Sequence, residues 1–179
     1  LKIPDVKLIV PKKHGDARGF FSETYNKTTF AAHGINLDFV QDNQSFSAQA
    51  GTLRGLHYQS PPFAQDKLVR VARGRILDVA VDIRTSSPTF GRHVAVELSA
   101  ENWKQLLVPI GFAHGFVTLE PDTEVLYKVT APYGPDNDHG LAFDDPALGI
   151  DWGLPADRLV LSEKDRKHPR LAEMLRYFD

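Results

Sequence analysis

The sequence predicts an all-β domain, closed into a barrel or folded as a sandwich, on the strength of three observations. Short apolar-rich runs recur from one end to the other, each bounded by Gly, Pro, Asp or Asn. One run alternates strictly, with Leu77, Val79, Val81 and Ile83 on one face of an extended chain and Asp78, Ala80 and Asp82 on the other. Helical signals are confined to three short stretches.

In order, the strand-like runs are 6–10, 20–24, 39–46, 51–59, 68–72, 76–83, 94–98, 112–119 and 125–129. Turn chemistry separates them at Arg73-Gly74-Arg75, at Ser86-Ser87-Pro88 and through 132–138. The alternation in 76–83 predicts a core on one side of that strand only. Asn26 is placed to cap a helical turn to His33, with Gly34 as its stop. Ser99 offers a cap for a helix over 100–106, and Pro169 opens a last helix carrying Leu171, Leu175 and Phe178. All three are expected at the periphery.

With 179 residues, 42% of them hydrophobic, and no composition shift, repeat or linker, the chain is read as one domain spanning 1–179. A net charge of -2 with mixed signs argues against nucleic acid or a membrane surface and for a small-molecule partner. The absence of cysteine rules out disulfides, thiolate-bound zinc, iron–sulfur clusters and thiol nucleophiles, and it suits the cytoplasm. No apolar run reaches membrane-span length, and Leu1-Lys2-Ile3-Pro4 has neither the charged start nor the apolar core of a signal peptide. The first residue is Leu, which leaves room for a piece upstream.

The stretch 51–59 carries the most chemistry, with Arg54, His57, Tyr58 and Gln59 in one run. Strict alternation would send Arg54 and His57 to opposite faces; Gly55 between them permits a bulge that turns both toward one polar cavity. A surface strand with a solvated arginine is the plainer alternative. Seven histidines, at 14, 33, 57, 93, 114, 139 and 168, raise the question of a metal. A β-barrel metal site takes three or four His or carboxylate ligands, often two of them at i and i+2, but two residues after His57 stands Gln59. Pro109-Ile-Gly-Phe-Ala-His-Gly115 looks like the second half of a cupin site, which leaves only His57 and His114; no metal is expected. Without one, a histidine held by a carboxylate becomes a general base, and Asp165 is the candidate partner of His57. Lys67 could stabilise an oxyanion and Tyr127 could return a proton, a set suited to proton abstraction beside a carbonyl. Each also has a structural reading: Tyr127 as a core aromatic, Lys67 as a snorkelling strand end, Asp165 as a helix cap.

The chain further resembles a known family almost end to end. The resemblance runs through Gly15-Asp-Ala-Arg-Gly-Phe-Phe-Ser-Glu23, Phe39-Val-Gln-Asp-Asn43 with Ser45, Leu53-Arg-Gly-Leu-His-Tyr-Gln59 and Gln65-Asp-Lys-Leu-Val-Arg70. It continues in Asp78-Val-Ala-Val-Asp-Ile-Arg84, Ser87-Pro-Thr-Phe-Gly91, Pro109-Ile-Gly-Phe-Ala-His-Gly-Phe116, Tyr127-Lys128, Asp144-Asp-Pro146 and Ser162-Glu-Lys-Asp165. These residues resemble the nucleotide-sugar 3,5-epimerases of the dTDP-4-dehydrorhamnose 3,5-epimerase type, the RmlC family. The resemblance implies a cupin-like double-stranded β-helix, a jelly-roll barrel. It also implies epimerisation at C3 and C5 of a dTDP-linked 4-keto-6-deoxyhexose in dTDP-L-rhamnose biosynthesis, with no cofactor and no metal. By that resemblance His57 is the base, Asp165 its carboxylate, Tyr127 the acid and Lys67 the cation at the enolate oxygen. Arg18, Glu23, Gln41, Asn43, Arg54, His114, Asp138 and Lys164 are its substrate-binding positions. It implies a homodimer whose first strands cross to the partner, bringing Arg18 and Glu23 to the neighbour's site. The sequence departs from the family pattern at Asp138, often Glu, at Phe143, often Trp, and at His93, often aromatic. The alternatives are an epimerase acting at C3 or C5 alone, a metal-dependent cupin oxygenase, and a silent sugar-nucleotide binding module.

Overall fold

The computed structural model describes residues 1–179. Twelve strands are present: β1 (Lys7–Ile9), β2 (His14–Asp16), β3 (Gly19–Phe21), β4 (Gln41–Ser47), β5 (Leu53–Gln59) and β6 (Lys67–Arg73), followed by β7 (Arg75–Asp82), β8 (His93–Ser99), β9 (Gln105–Val108), β10 (Phe112–Thr118), β11 (Thr123–Val129) and β12 (Asp138–Gly140). One short helix, α1 (Lys27–Ala32), lies between β3 and β4. The strands form two five-stranded sheets, ordered β1-β9-β6-β11-β4 and β12-β5-β10-β7-β8, with β2 and β3 as a separate hairpin. All of the pairings between these strands are antiparallel. Non-sequential neighbours in both sheets are the mark of a jelly roll, and the all-β, cupin-like expectation holds.

Apolar side chains from both sheets meet in a core between them, including Val69, Val71, Leu106 and Val125 from the first and Ile76, Ala80, Leu98 and Phe116 from the second. A second core lies on the outer face of the second sheet, where Leu53, Leu56, Val79, Val81 and Ala113 are covered by Leu141, Trp152, Met174 and Phe178 of the C-terminal segment. Both faces of β7 are therefore covered, which corrects the expectation of a core on one side only. Asp78 and Asp82 are both fully buried. The alternation was real, but a buried carboxylate with partners reads like a solvent-facing one. Asp82 gathers Arg84, Ser87 Oγ (2.6 Å) and Thr89 Oγ1 (2.6 Å) into the turn after β7.

The Asn26 helix forms as expected: the Asn26 side chain accepts from Thr28 N and Thr29 N, and Gly34 follows with a positive φ of 78°. The other two helices do not form. Ser99 does make cap-like bonds, accepting from Asn102 N at 2.9 Å while Asn102 Oδ1 accepts from Ser99 N at 3.1 Å. Trp103 then turns to φ 58°, and the chain leaves as β9, all four residues of which are buried. After Pro169 a single turn closes through Glu173 N and Met174 N to the Arg170 carbonyl. Met174, at the end of this turn, and Phe178 beyond it reach the outer core. No helix is long and apolar enough to cross a membrane.

Candidate active site

The site begins with a bulge. On β10, His114 stands opposite His57 and Phe116 opposite Arg54, so four residues of β5 span the length of three on β10. The extra residue is accommodated where Gly55, with φ 129°, meets Gly115. A Cβ on Gly55 would lie 2.5 Å from Gly115 Cα, and one on Gly115 would lie 2.8 Å from the Arg54 carbonyl oxygen. Two glycines let the backbones approach, and the slip turns Arg54 and His57 into the same cavity, while Leu53, Leu56 and Tyr58 go to the outer core. The sequence-based reading of this glycine holds.

The cavity, about 280 Å³, opens between the sheets. His57, Arg54 and His114 line it from the second sheet; Lys67 of β6, Ser45 of β4 and Tyr127 of β11 line it from the first. Ser162, Lys164 and Asp165 close it from the C-terminal segment. A larger hollow of about 540 Å³ beside α1 is lined by Glu23 and His33 and holds no comparable charged pair.

His57 Nε2 lies 2.5 Å from Asp165 Oδ1. Asp165 opens a single 3₁₀ turn (Asp165–Lys167), and its Oδ2 accepts from Ser162 Oγ at 2.8 Å. Burial would push this carboxyl up, but the neighbouring His168 and the hydrogen bonds with His57 and Ser162 outweigh burial and hold it well below the usual carboxylate range. It stays charged and fixes the imidazole. Burial pushes the Lys67 ammonium down to about 8, with Asp138 and Asp78 opposing. Burial pushes the Tyr127 phenol up, so that it keeps its proton at neutral pH. Deeper in the barrel His114 Nε2 meets Asp78 Oδ1 at 2.5 Å, both residues buried.

The remaining expected binding residues divide in two. Arg54 is braced by Ser47 Oγ at 3.3 Å and the Phe46 carbonyl at 3.1 Å. Gln41 and Asn43, bonded to each other at 2.8 Å, share the β4 face of Ser45. Asp138 does not line the cavity; it accepts from Lys164 Nζ at 2.5 Å and from Tyr133 at 3.1 Å, and so holds a lysine that does. Burial opposes ionisation of Asp138, yet the Lys164 contact still lowers its carboxyl. Arg18 and Glu23 are elsewhere: Arg18 is exposed and paired only with Asp16, and Glu23 faces the larger hollow. Sequence reasoning named no role for Ser162, Asp78 or His168. The i, i+3 spacing of Asp165 and His168 is the signal that was available, because side chains three apart eclipse in a 3₁₀ turn.

His57, Asp165 and His168 bring ligand atoms within 4.8 Å of one another. Two ligands on a tetrahedral ion sit about 3.3 Å apart, given metal–ligand bonds near 2.0–2.2 Å. The 2.5 Å contact between His57 and Asp165 is a hydrogen bond, so the set does not fit a bound ion as it stands.

A carbon acid beside a ketone needs a base, an acid facing it and a cation for the oxygen; this barrel presents such groups from opposite walls, and by fold and site it is a cupin-like protein equipped for acid–base chemistry. The class narrows to a family: residues 1–173 match the family model described as dTDP-4-dehydrorhamnose 3,5-epimerase, and the chain belongs to that family. It is 56% identical over 174 residues to a dTDP-4-dehydrorhamnose 3,5-epimerase of Sinorhizobium fredii, covering 97% of this chain and 89% of the relative. The crystal structure of dTDP-6-deoxy-D-glucose-3,5-epimerase RmlC from Legionella pneumophila Philadelphia 1, in complex with dTDP-4-keto-L-rhamnose, is 46% identical. It superposes with a TM-score of 0.93, covering 98% of this chain and 92% of that one. ChmJ, a 3'-monoepimerase from Streptomyces bikiniensis solved with dTDP-quinovose, is 35% identical with a TM-score of 0.86, covering 93% and 84%.

Proposed function

We propose that this chain converts dTDP-4-dehydro-6-deoxy-D-glucose to dTDP-4-dehydro-L-rhamnose by inverting C3 and C5, in dTDP-L-rhamnose biosynthesis. The observation that carries the reading is the placement of His57 and Tyr127 on facing sheets around one cavity, with Lys67 beside them. Inversion removes a proton from one face of a carbon and returns one to the other, so base and acid belong on opposite walls. In this reading His57, oriented by Asp165, takes the proton next to the C4 ketone. Lys67 neutralises the enolate oxygen, and Tyr127 donates to the opposite face. Arg54 and Lys164 supply charge for the diphosphate, where a guanidinium makes paired hydrogen bonds. No net oxidation occurs, and no cofactor enters the balance.

Arg18 and Glu23 lie outside this cavity, on and beside a hairpin whose Phe20 and Phe21 are 54% and 70% exposed. These facts support a homodimer in which the hairpin of one protomer completes its partner's site with Arg18 and Glu23. The family match over 1–173 supports one working domain across 1–179. A chain without cysteine acting on a nucleotide-linked sugar suits the cytoplasm.

Proton NMR of the 4-keto substrate incubated with the protein in deuterium oxide, with chelator present, tests the function. Loss of both the C3 and C5 proton signals is expected. Loss of one alone moves the protein to the mono-epimerases, which the likeness to a 3'-monoepimerase keeps in view. No exchange at either carbon overturns the reading.

A further inference from the structure

His168 is a second imidazole on the carboxylate that holds His57. Its side chain is 9% exposed, and its Nε2 lies 3.5 Å from Asp165 Oδ1, the oxygen His57 also uses. That nitrogen is buried and makes no hydrogen bond in the structure, Asp165 Oδ1 at 3.5 Å being the ion-pair contact it has. The ring meets His57 edge-on, centroids 5.5 Å apart at 80°. It occupies the space over Gly140, where a Cβ would come within 2.3 Å of the ring, so β12 is shaped to admit it. A buried imidazole nitrogen is seldom left without a partner, and Asp165 is the acceptor it is aimed at. His168 does not line the cavity.

We infer that His168 is a positioning residue for the base: it shares the Asp165 oxygen with His57, drawing off part of the carboxylate's charge and so setting how readily His57 gives up its proton. The inference rests on His57 being the base. Two roles follow from it. Sharing keeps Asp165 ionised and aimed, and it prevents the carboxylate from holding a protonated His57 too tightly to be reset between one carbon and the next. The other titratable and charged groups facing His57 are Arg54 on its own strand, Lys67 on β6, His114 on β10, Tyr127 on β11, Lys164, and Asp138, which acts on it through charge. None of these is altered by a change at position 168.

The test compares His168→Phe, which fills the space without a donor, and His168→Gln, which keeps one, by the pH profile of kcat/KM. In His168→Phe the acid limb should move to higher pH by about 0.5–1 unit, the worth of one modest hydrogen bond, with KM changed less than about twofold. His168→Gln should bring the limb back toward its wild-type position. An unmoved limb in His168→Phe, whether or not kcat falls, reduces His168 to packing and overturns the inference. If His168→Phe does not fold, the histidine tautomers of the wild-type protein, read by long-range proton–nitrogen NMR, decide: a proton on His168 Nε2 supports the contact, and a bare Nε2 overturns it. His57→Asn is measured alongside. Retained turnover there removes the base reading and this inference with it, whereas a dead His57→Asn beside an unmoved limb in His168→Phe removes this inference alone.

Discussion

At the scale of single residues, the chemistry depends on groups whose environments push them in different directions. Burial lowers the Lys67 ammonium to about 8, so it is charged at neutral pH and loses its charge just above. If that charge holds the enolate oxygen, kcat/KM should fall as pH rises through about 8. Lys67→Arg should extend activity to higher pH and Lys67→Met should lower kcat by roughly 10²–10³-fold, the usual cost of losing an oxyanion donor. Removing the proposed base should cost more uniformly: His57→Asn is expected to lose at least about 100-fold in turnover at every pH, measured by deuterium exchange into substrate. The sequence singles out His57 because an imidazole in an apolar-rich run is unusual, and it marks Lys67, at the edge of the run 68–72, chiefly through the family resemblance; both line the cavity. Asp78 was not legible, since a carboxylate alternating with apolar residues looks the same whether it faces water or a buried imidazole.

At the scale of elements, the bulge and the turn after β7 govern how the cavity is held open. Gly115→Ala would place a methyl 2.8 Å from the Arg54 carbonyl oxygen, against backbone that has nowhere to go. We expect a loss of about 2–4 kcal/mol in urea unfolding, together with loss of activity as β5 is forced from β10. Asp82, fully buried, is held at about 2: burial opposes its charge, but Arg84, Ser87 and Thr89 outweigh that. Its carboxyl lies below the unfolded value of 3.8, so its contribution is fully present above about pH 4 and disappears as pH falls toward 2. The amount is about 2 kcal/mol, and Asp82→Asn should flatten that part of the stability–pH curve. The strands were mostly readable from period and punctuation, and the Asn26 helix from its cap. The Ser99 helix was misread for a physical reason: Ser99 and Asn102 exchange the bonds of a capping box, a local pattern that tertiary burial of Gln105–Val108 then overrides. β2 and β12, three residues each, are too short to leave a pattern at all.

At the scale of the whole molecule, the proposed crossing of the hairpin makes activity a property of the pair. Arg18→Ala and His57→Asn should each be nearly inactive alone. Mixed and allowed to exchange subunits, they should recover up to about a quarter of wild-type activity per site, since random pairing of equal amounts yields half heterodimers, each with one intact site. Recovery of nothing on mixing, with exchange shown by mass, would place Arg18 in its own protomer's site or in none. The order in which the barrel is completed also follows from its layout. Every strand lies before Leu141, whereas Ser162, Asp165 and His168 arrive in the segment that wraps the outer face of the second sheet. In chain order, both walls of the cavity, with His57, Lys67 and Tyr127, therefore precede the carboxylate that meets His57. A chain that stops before Asp165 would carry the cavity residues of both sheets but lack the carboxylate that meets His57 and the Met174 and Phe178 that cover the second sheet, so the docking of this segment completes the core and the proposed site together.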